Sequence, residues 1–273
     1  MPTTPTLAIR KTFLIAVAIG LGWATSAMAG TTWDGIRKEV YGERAIQDGT
    51  GFMVLKAPNR PEDQRAVPIS VETAFADGRT VKSVTFVVDE NPSPVAAVFH
   101  MGPGRDRVAL SSRFRVNAQT DVRVIVEASD GALYMSSQLV KFAGGQAACA
   151  APPTGDEKEI AANMGKMKLA DVPSSSARSE INHKVRLALS HPNHTGMQLD
   201  QLTLLYIPLR MVNRVDARLG SEHVFSMDGS ITLSESPVIE FDYRLGGGDK
   251  LDVDMTDTTG AAWHKSFPLG PAS

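Results

Sequence analysis

The chain has one cysteine, Cys149, in 273 residues. A single cysteine excludes an internal disulfide framework. Excess charge of one sign is also missing. Lys and Arg total 28 against 30 for Asp and Glu, and no long basic block occurs, which excludes the electrostatic footprint of a nucleic-acid binder. There is no nucleophile elbow, no phosphate-binding loop and no zinc-protease motif. No cluster of candidate catalytic residues stands out either, so the chain reads as a non-enzyme with no catalytic residue assigned. Long apolar runs are absent beyond the first 25 or so residues.

What is present begins at the N-terminus. Arg10 and Lys11 precede the apolar stretch "TFLIAVAIGLGWA", and Ala27-Met28-Ala29 gives a small-x-small pattern before Gly30. The apolar stretch is short for a membrane span, which wants about 20 residues. Residues 1–29 therefore read as a secretory signal peptide. The expected mature chain, 30–273, is exported to a bacterial periplasm and has no membrane segment.

Residues 30–47 are expected to form an N-terminal helical segment. Trp33, Ile36, Val40, Tyr41 and Ile46 are spaced as on one helical face, although Gly35 and Gly42 weaken the pattern. From Phe52 onward the period changes to two. In "DVRVIVEAS", Val122, Val124 and Val126 share one face while Arg123, Ile125 and Glu127 share the other. "RAVPISVETAF", "KSVTFVVD", "PVAAVFHM", "RVALSSRFRVNA" and "ALYMSSQLVKF" are further strands. Turn signals at Asp77-Gly78, Asn91-Pro92, Gly102-Pro103-Gly104 and Asp130-Gly131 separate them. Short strands at this spacing predict a β-sandwich over 48–143.

Residues 144–180 break the pattern with Gly, Ala, Pro, Ser and clustered charge, and read as an arm followed by a linker. A second sandwich is expected over 181–273. In "PVIEFDYRL", Ile239, Phe241, Tyr243 and Leu245 alternate with Glu240, Asp242 and Arg244. In "KLDVDMTD", Leu251, Val253 and Met255 alternate with Asp252, Asp254 and Thr256. Such alternation predicts an antiparallel sheet with one wet face, and Gly246–Gly248 a hairpin turn joining two of its strands. The expected architecture is thus all-β: two sandwiches in tandem, a short N-terminal helix and a flexible linker.

His191 and His194 in "SHPNHTG" have a His-x-x-His spacing that could share a metal. A turn whose polar residues face solvent explains the spacing better, so no metal site is assigned. His223 and His264 fall on strands and read as surface or partly buried side chains. Alternation on a solvated strand explains the acidic residues of "DKLDVDMTD" better than a calcium site does.

Cys149 remains. An odd thiol in an exported protein points to intermolecular pairing or to a reactive group. The bland alternative is a tolerated buried cysteine. Its neighbours, "KFAGGQAACAAPPTG", are small and follow a strand. That setting predicts an exposed thiol on a flexible arm, with Gly144 and Gly145 supplying the freedom. A thiol so placed could be presented to several enzymes in turn.

The segments "VPISVE", "VVDENPSPVAAVFHM" and "SSRFRVNAQTDVRVIVEASDGALYMSSQLVKF", followed by the cysteine arm, resemble SoxY, the sulfur-carrying subunit of the bacterial SoxYZ complex. "VRLALSHPNHTGM", "YIPLRMVNRVDARLG" and "VFSMDGSITLSESPVIEFDYRLGGGDKLDVDMTDTTGA" resemble SoxZ. Together they cover most of the mature chain, in the manner of the fused SoxYZ-like carriers associated with quinoprotein (pyrroloquinoline quinone) dehydrogenases. The resemblance implies immunoglobulin-like sandwiches packed together and no cofactor. It implies a sulfur species bound covalently to Cys149, as in thiosulfate oxidation. It implies as partners periplasmic sulfur-oxidising enzymes and c-type cytochromes, or a quinoprotein dehydrogenase. A second implied role is a non-catalytic accessory module for such a dehydrogenase or its cytochrome. The arm departs from the family's Gly-Gly-Cys-Gly-Gly pattern at a free C-terminus. Here it reads "QAACAAP" and is tethered at both ends.

Overall fold

The computed structural model describes residues 1, 29–142, 144–154, 156–172, 182–244 and 247–269. Nearly all of the segment read as a signal peptide lies outside the described residues. No described helix is long and apolar enough to cross a membrane.

The first half of the chain comprises α1 (Ala29–Tyr41) and eight strands: β1 (Ile46–Asp48), β2 (Met53–Lys56), β3 (Val67–Ala74), β4 (Val81–Val88), β5 (Val95–Met101), β6 (Arg107–Phe114), β7 (Thr120–Ala128) and β8 (Leu133–Val140). The second half comprises α2 (Glu157–Asn163), β9 (Met167–Asp171), β10 (Asn182–Leu189), β11 (Val212–Leu219), β12 (Glu222–Gly229), β13 (Val238–Arg244), β14 (Lys250–Asp257) and β15 (Ala262–Pro268). The segment read as arm and linker thus contributes α2, capped by the Asp156 carboxylate accepting from the amides of Lys158 and Glu159, and the edge strand β9.

Two sheets run through both halves. One has the order β1-β8-β7-β4-β5-β12-β11-β14-β15 and the other β2-β3-β6-β13-β10-β9. Each half is a sandwich in its own right, and the two sandwiches are joined edge to edge. The β5–β12 junction pairs Phe99 with Met227 and Met101 with Phe225; the β6–β13 junction pairs Leu110 with Phe241 and Ser112 with Ile239. Strand edges that would otherwise be open templates for aggregation are consumed within the chain.

Alternation drives this arrangement. Val122, Val124, Val126, Ile239, Phe241, Leu251, Val253 and Met255 all enter one core shared by both halves. A run of aromatic contacts crosses the seam: Phe86 to Phe99 at 5.8 Å, Phe99 to Phe225 at 5.5 Å, and Phe225 to Phe241 at 4.9 Å in an edge-on pair. Gly102 ends β5 so close to the partner strand that a Cβ there would stand 1.7 Å from the His223 carbonyl oxygen.

α1 stops at Tyr41 because Gly42, at φ 60°, caps it with its amide on the Lys38 carbonyl. Ile46, expected on the helix, lies instead in β1, which runs parallel to β8. Trp33 and Ile36 cover Val87, Ile125 and Leu133, which accounts for an apolar residue on the outer face of β7. Arg123 stacks 4.7 Å from the Trp33 ring centre and pairs with buried Asp89.

Two expectations are corrected. The stretch 246–248 does not close a hairpin, because β13 and β14 lie in different sheets. Alternation fixes which face of a strand is buried but not its neighbour, and both strands feed the same core from opposite sides. Leu245 and Gly246 lie outside the described residues. Asp242, expected on a wet face, is buried at the seam, where Arg105 pairs with it at 3.2 Å and the Ala109 amide donates to it.

A shared core predicts one cooperative unfolding transition by calorimetry. Phe225→Ala is expected to lower stability by about 3–5 kcal/mol without splitting that transition. Two well-separated transitions in the wild-type chain would show that the halves fold independently.

Candidate functional site

After β8 the chain turns back at Gly144 and Gly145, which adopt φ of 95° and 102° with open space where side chains would stand. A turn follows, closed by the Ala150 amide on the Ala147 carbonyl at 3.0 Å and by Gln146 Nε2 on the Ala150 carbonyl at 3.0 Å. Cys149 lies in this turn and is fully buried. The expectation of an exposed thiol is therefore corrected. The small side chains that suggested freedom instead let the turn seat flush against the protein.

The turn is clasped from both halves. Asn117, beyond β6, accepts the Cys149 amide on Oδ1 at 2.8 Å. Thr195 donates its hydroxyl to the Cys149 carbonyl at 2.6 Å, and Gln198 Nε2 donates to the Ala151 carbonyl at 3.0 Å. Glu235, between β12 and β13, accepts from the amide and hydroxyl of Thr154 at 3.2 and 3.0 Å.

Two sequence motifs position these groups. In "DENPSP", Asn91 is buried; its Nδ2 donates to the Arg115 carbonyl at 2.7 Å and its Oδ1 accepts the Asn117 amide at 3.0 Å. In "HPNHTG", Asn193 takes the left-handed conformation at φ 46°, which asparagine tolerates. Its side chain accepts the Val212 amide and donates to the Ser234 carbonyl, each at 2.8 Å. The solvent-facing turn expected here is a buried scaffold.

His191 belongs to that scaffold. The Asn193 amide donates to its Nδ1 at 3.0 Å, so Nε2 carries the proton and donates to Asp257 at 3.3 Å. Burial lowers the His191 pKa and keeps the ring neutral. Burial works to raise the Asp257 pKa, but hydrogen bonds from Thr259, Arg210 and His191 overcome it and hold the carboxyl well below the usual range. No group of three or more His, Cys, Asp or Glu among the described residues is placed to hold a metal.

Arg115 sets the electrostatics. It is 2% exposed and, among the described residues, donates to the carbonyls of Ile231 at 3.0 Å, Leu233, and Asn193 at 2.9 Å. Burial pushes its pKa down, opposed by Cys149 and Glu235. Burial pushes the Cys149 thiol up, opposed by the Arg115 charge and by an Asn117 hydrogen bond. The docked sulfur is therefore a neutral thiol, out of solvent and a poor nucleophile. A cavity of about 190 Å³ lies beside the turn, lined by Arg115, Ala148, Ala151, Arg65, Gln198 and Glu235 among others. The sequence singled out Cys149, Gly144 and Gly145. It missed Arg115, Asn117, Thr195, Gln198 and Glu235; of these only Thr195 lies in one of the two motifs, with Gln198 two residues beyond it.

Alkylation by iodoacetamide should accordingly be slower in the native chain than in the urea-unfolded chain. Asn117→Ala and Gln198→Ala, each removing a hydrogen bond worth about 1 kcal/mol, should speed it about fivefold by raising the open population. Wild-type alkylation at the unfolded rate would contradict the clasp.

The SoxY family, described as sulfur oxidation protein SoxY, matches residues 37–147, and the SoxZ family, described as sulphur oxidation protein SoxZ, matches residues 172–268. Among solved structures, the sulfur carrier protein SoxY from Chlorobium limicola f thiosulfatophilum is 27% identical over 44% of this chain and 99% of its own, with a TM-score of 0.37. The superoxide reductase (neelaredoxin) from Ignicoccus hospitalis is 11% identical over 40% of this chain and 90% of its own, with a TM-score of 0.28. Comparison with curated proteins gave no match. Residues 37–147 are a SoxY domain and residues 172–268 a SoxZ domain, so the chain belongs to the SoxY and SoxZ families of sulfur-oxidation proteins, fused in tandem.

Proposed function

We propose that the protein carries a sulfur species covalently on Cys149 in the periplasm and presents it to partner enzymes. The observation that carries this reading is the placement of the only thiol in a turn held by hydrogen bonds from both halves. Such a turn can shelter a conjugate when docked and expose it when released. Attaching thiosulfate to a thiol forms an S–S bond and releases one proton and two electrons. That step needs an electron acceptor, a role that a partner such as a c-type cytochrome or a quinoprotein dehydrogenase system would fill. The basic, apolar and small-residue order of residues 10–29 supports export.

A specific feature favours the second reading, an accessory module for a quinoprotein dehydrogenase or its cytochrome. Immediately after Gln198 the loop 199–209 projects, closed at its neck by a Leu199–Tyr206 bridge. Leu202, Leu204, Leu205 and Tyr206 are 95%, 74%, 68% and 67% exposed, and residues 201–209 carry no charge. Contiguous exposed apolar side chains of this kind mark interaction surfaces.

One purification tests both. The protein is isolated from its native periplasm after growth on reduced sulfur compounds, and its intact mass is read with and without reductant. Added sulfur mass localised to Cys149 and lost on reduction is expected. A bare thiol throughout, in a chain that co-elutes with a dehydrogenase or cytochrome, would replace the carrier by the accessory module.

A further inference from the structure

We propose that the cavity beside Cys149 is a binding site for the negatively charged end of the group attached to the sulfur, with Arg115 as its counter-ion. The inference rests on the carrier reading for its biological meaning, but its physical basis is separate. A guanidinium removed from water costs free energy unless a negative charge compensates it. Arg115 is almost fully buried, and no carboxylate pairs with it among the described residues; three backbone carbonyls are its partners.

The other charges on the cavity do not substitute. Arg65 and Asp63 pair with each other at 3.0 Å. Glu235 is only partly buried and is engaged by the amide and hydroxyl of Thr154. Its charge does act on Arg115, but solvent weakens it and it makes no direct ion pair there. Ala148 and Ala151 bring the arm to the same cavity and add no bulk to fill it. A sulfur oxyanion carried on the turn would thus find space beside Ala148 and Ala151 and a buried cation that no carboxylate among the described residues pairs with directly.

The consequence is that docking reads the load. With a free thiol the turn docks beside an Arg115 that only backbone carbonyls contact among the described residues. With an anionic conjugate the same docking completes an ion pair, so the loaded arm is held more firmly than the empty one. A neutral group such as a hydroxyethyl disulfide gains no such pairing, and a cationic group is rejected.

The full-length mature chain tests this with methanethiosulfonate reagents that attach a sulfonatoethyl, a hydroxyethyl or a trimethylammonioethyl group. In each case the Cys149 thiolate attacks the sulfenyl sulfur, a new S–S bond forms, and methanesulfinate leaves with the electron pair of the broken S–S bond. Melting temperature is then measured. The sulfonate adduct is expected to melt about 2–4 °C above the neutral one, and the cationic adduct below both. The spread should persist in Arg115→Lys and collapse in Arg115→Met. The wild-type series needs no variant, so a misfolded Arg115→Met leaves the test intact. Equal melting temperatures, or an order that follows bulk and not charge, would overturn the proposal. A charge-ordered series in a protein whose native mass shows a bare thiol would keep the anion site and remove the carrier. A neutral load with no charge order would do the reverse.

Discussion

The edge pairings of β5 with β12 and β6 with β13 are the constraint on which the rest of the molecule depends. They turn two sandwiches into one body with a common core. Just past the end of β6 they bring Arg115 and Asn117 against the loops of the second half. Phe114 bridges Leu233 there, and the Arg115 amide donates to the Thr232 carbonyl. The floor and walls of the cysteine site are made by that seam. Neither half alone would supply both Asn117 and the Thr195–Gln198 pair.

Covalent continuity between the halves changes what the arm can do. A chain end can leave its groove completely, whereas this arm is anchored by β8 on one side and by α2 and β9 on the other. Exposure of the thiol therefore requires a local opening in which the hydrogen bonds of Asn117, Thr195 and Gln198 break together, while the sheets stay intact. Thr195 and Gln198 stand only a few residues before the exposed apolar loop.

Much of the fold was legible in the sequence. Period-two alternation identified β3 through β8, β13 and β14, because a strand buried on one face must alternate. The short strands β1, β2 and β9 carry too few residues to show a period. Pairing was not legible, since Ile239, Phe241 and Tyr243 read the same whether β13 faces β14 or crosses to the other sheet. The site was legible only in part. Cys149 stood out because it is alone, but a run of Gly and Ala describes equally a free arm and one pressed flat. His191 and Asn193 looked like a wet turn because burial of polar side chains depends on partners such as Asp257, Val212 and Ser234, which are distant in sequence.

The central claim is that the resting protein holds its thiol docked and opens it locally. Hydrogen exchange at the Cys149 and Ala150 amides tests this most directly, because both are bonded only in the docked turn. The account predicts exchange well below the free-peptide rate, restored by Asn117→Ala while the amides of β7 stay protected. Free-peptide exchange at both amides in the wild-type chain would contradict it.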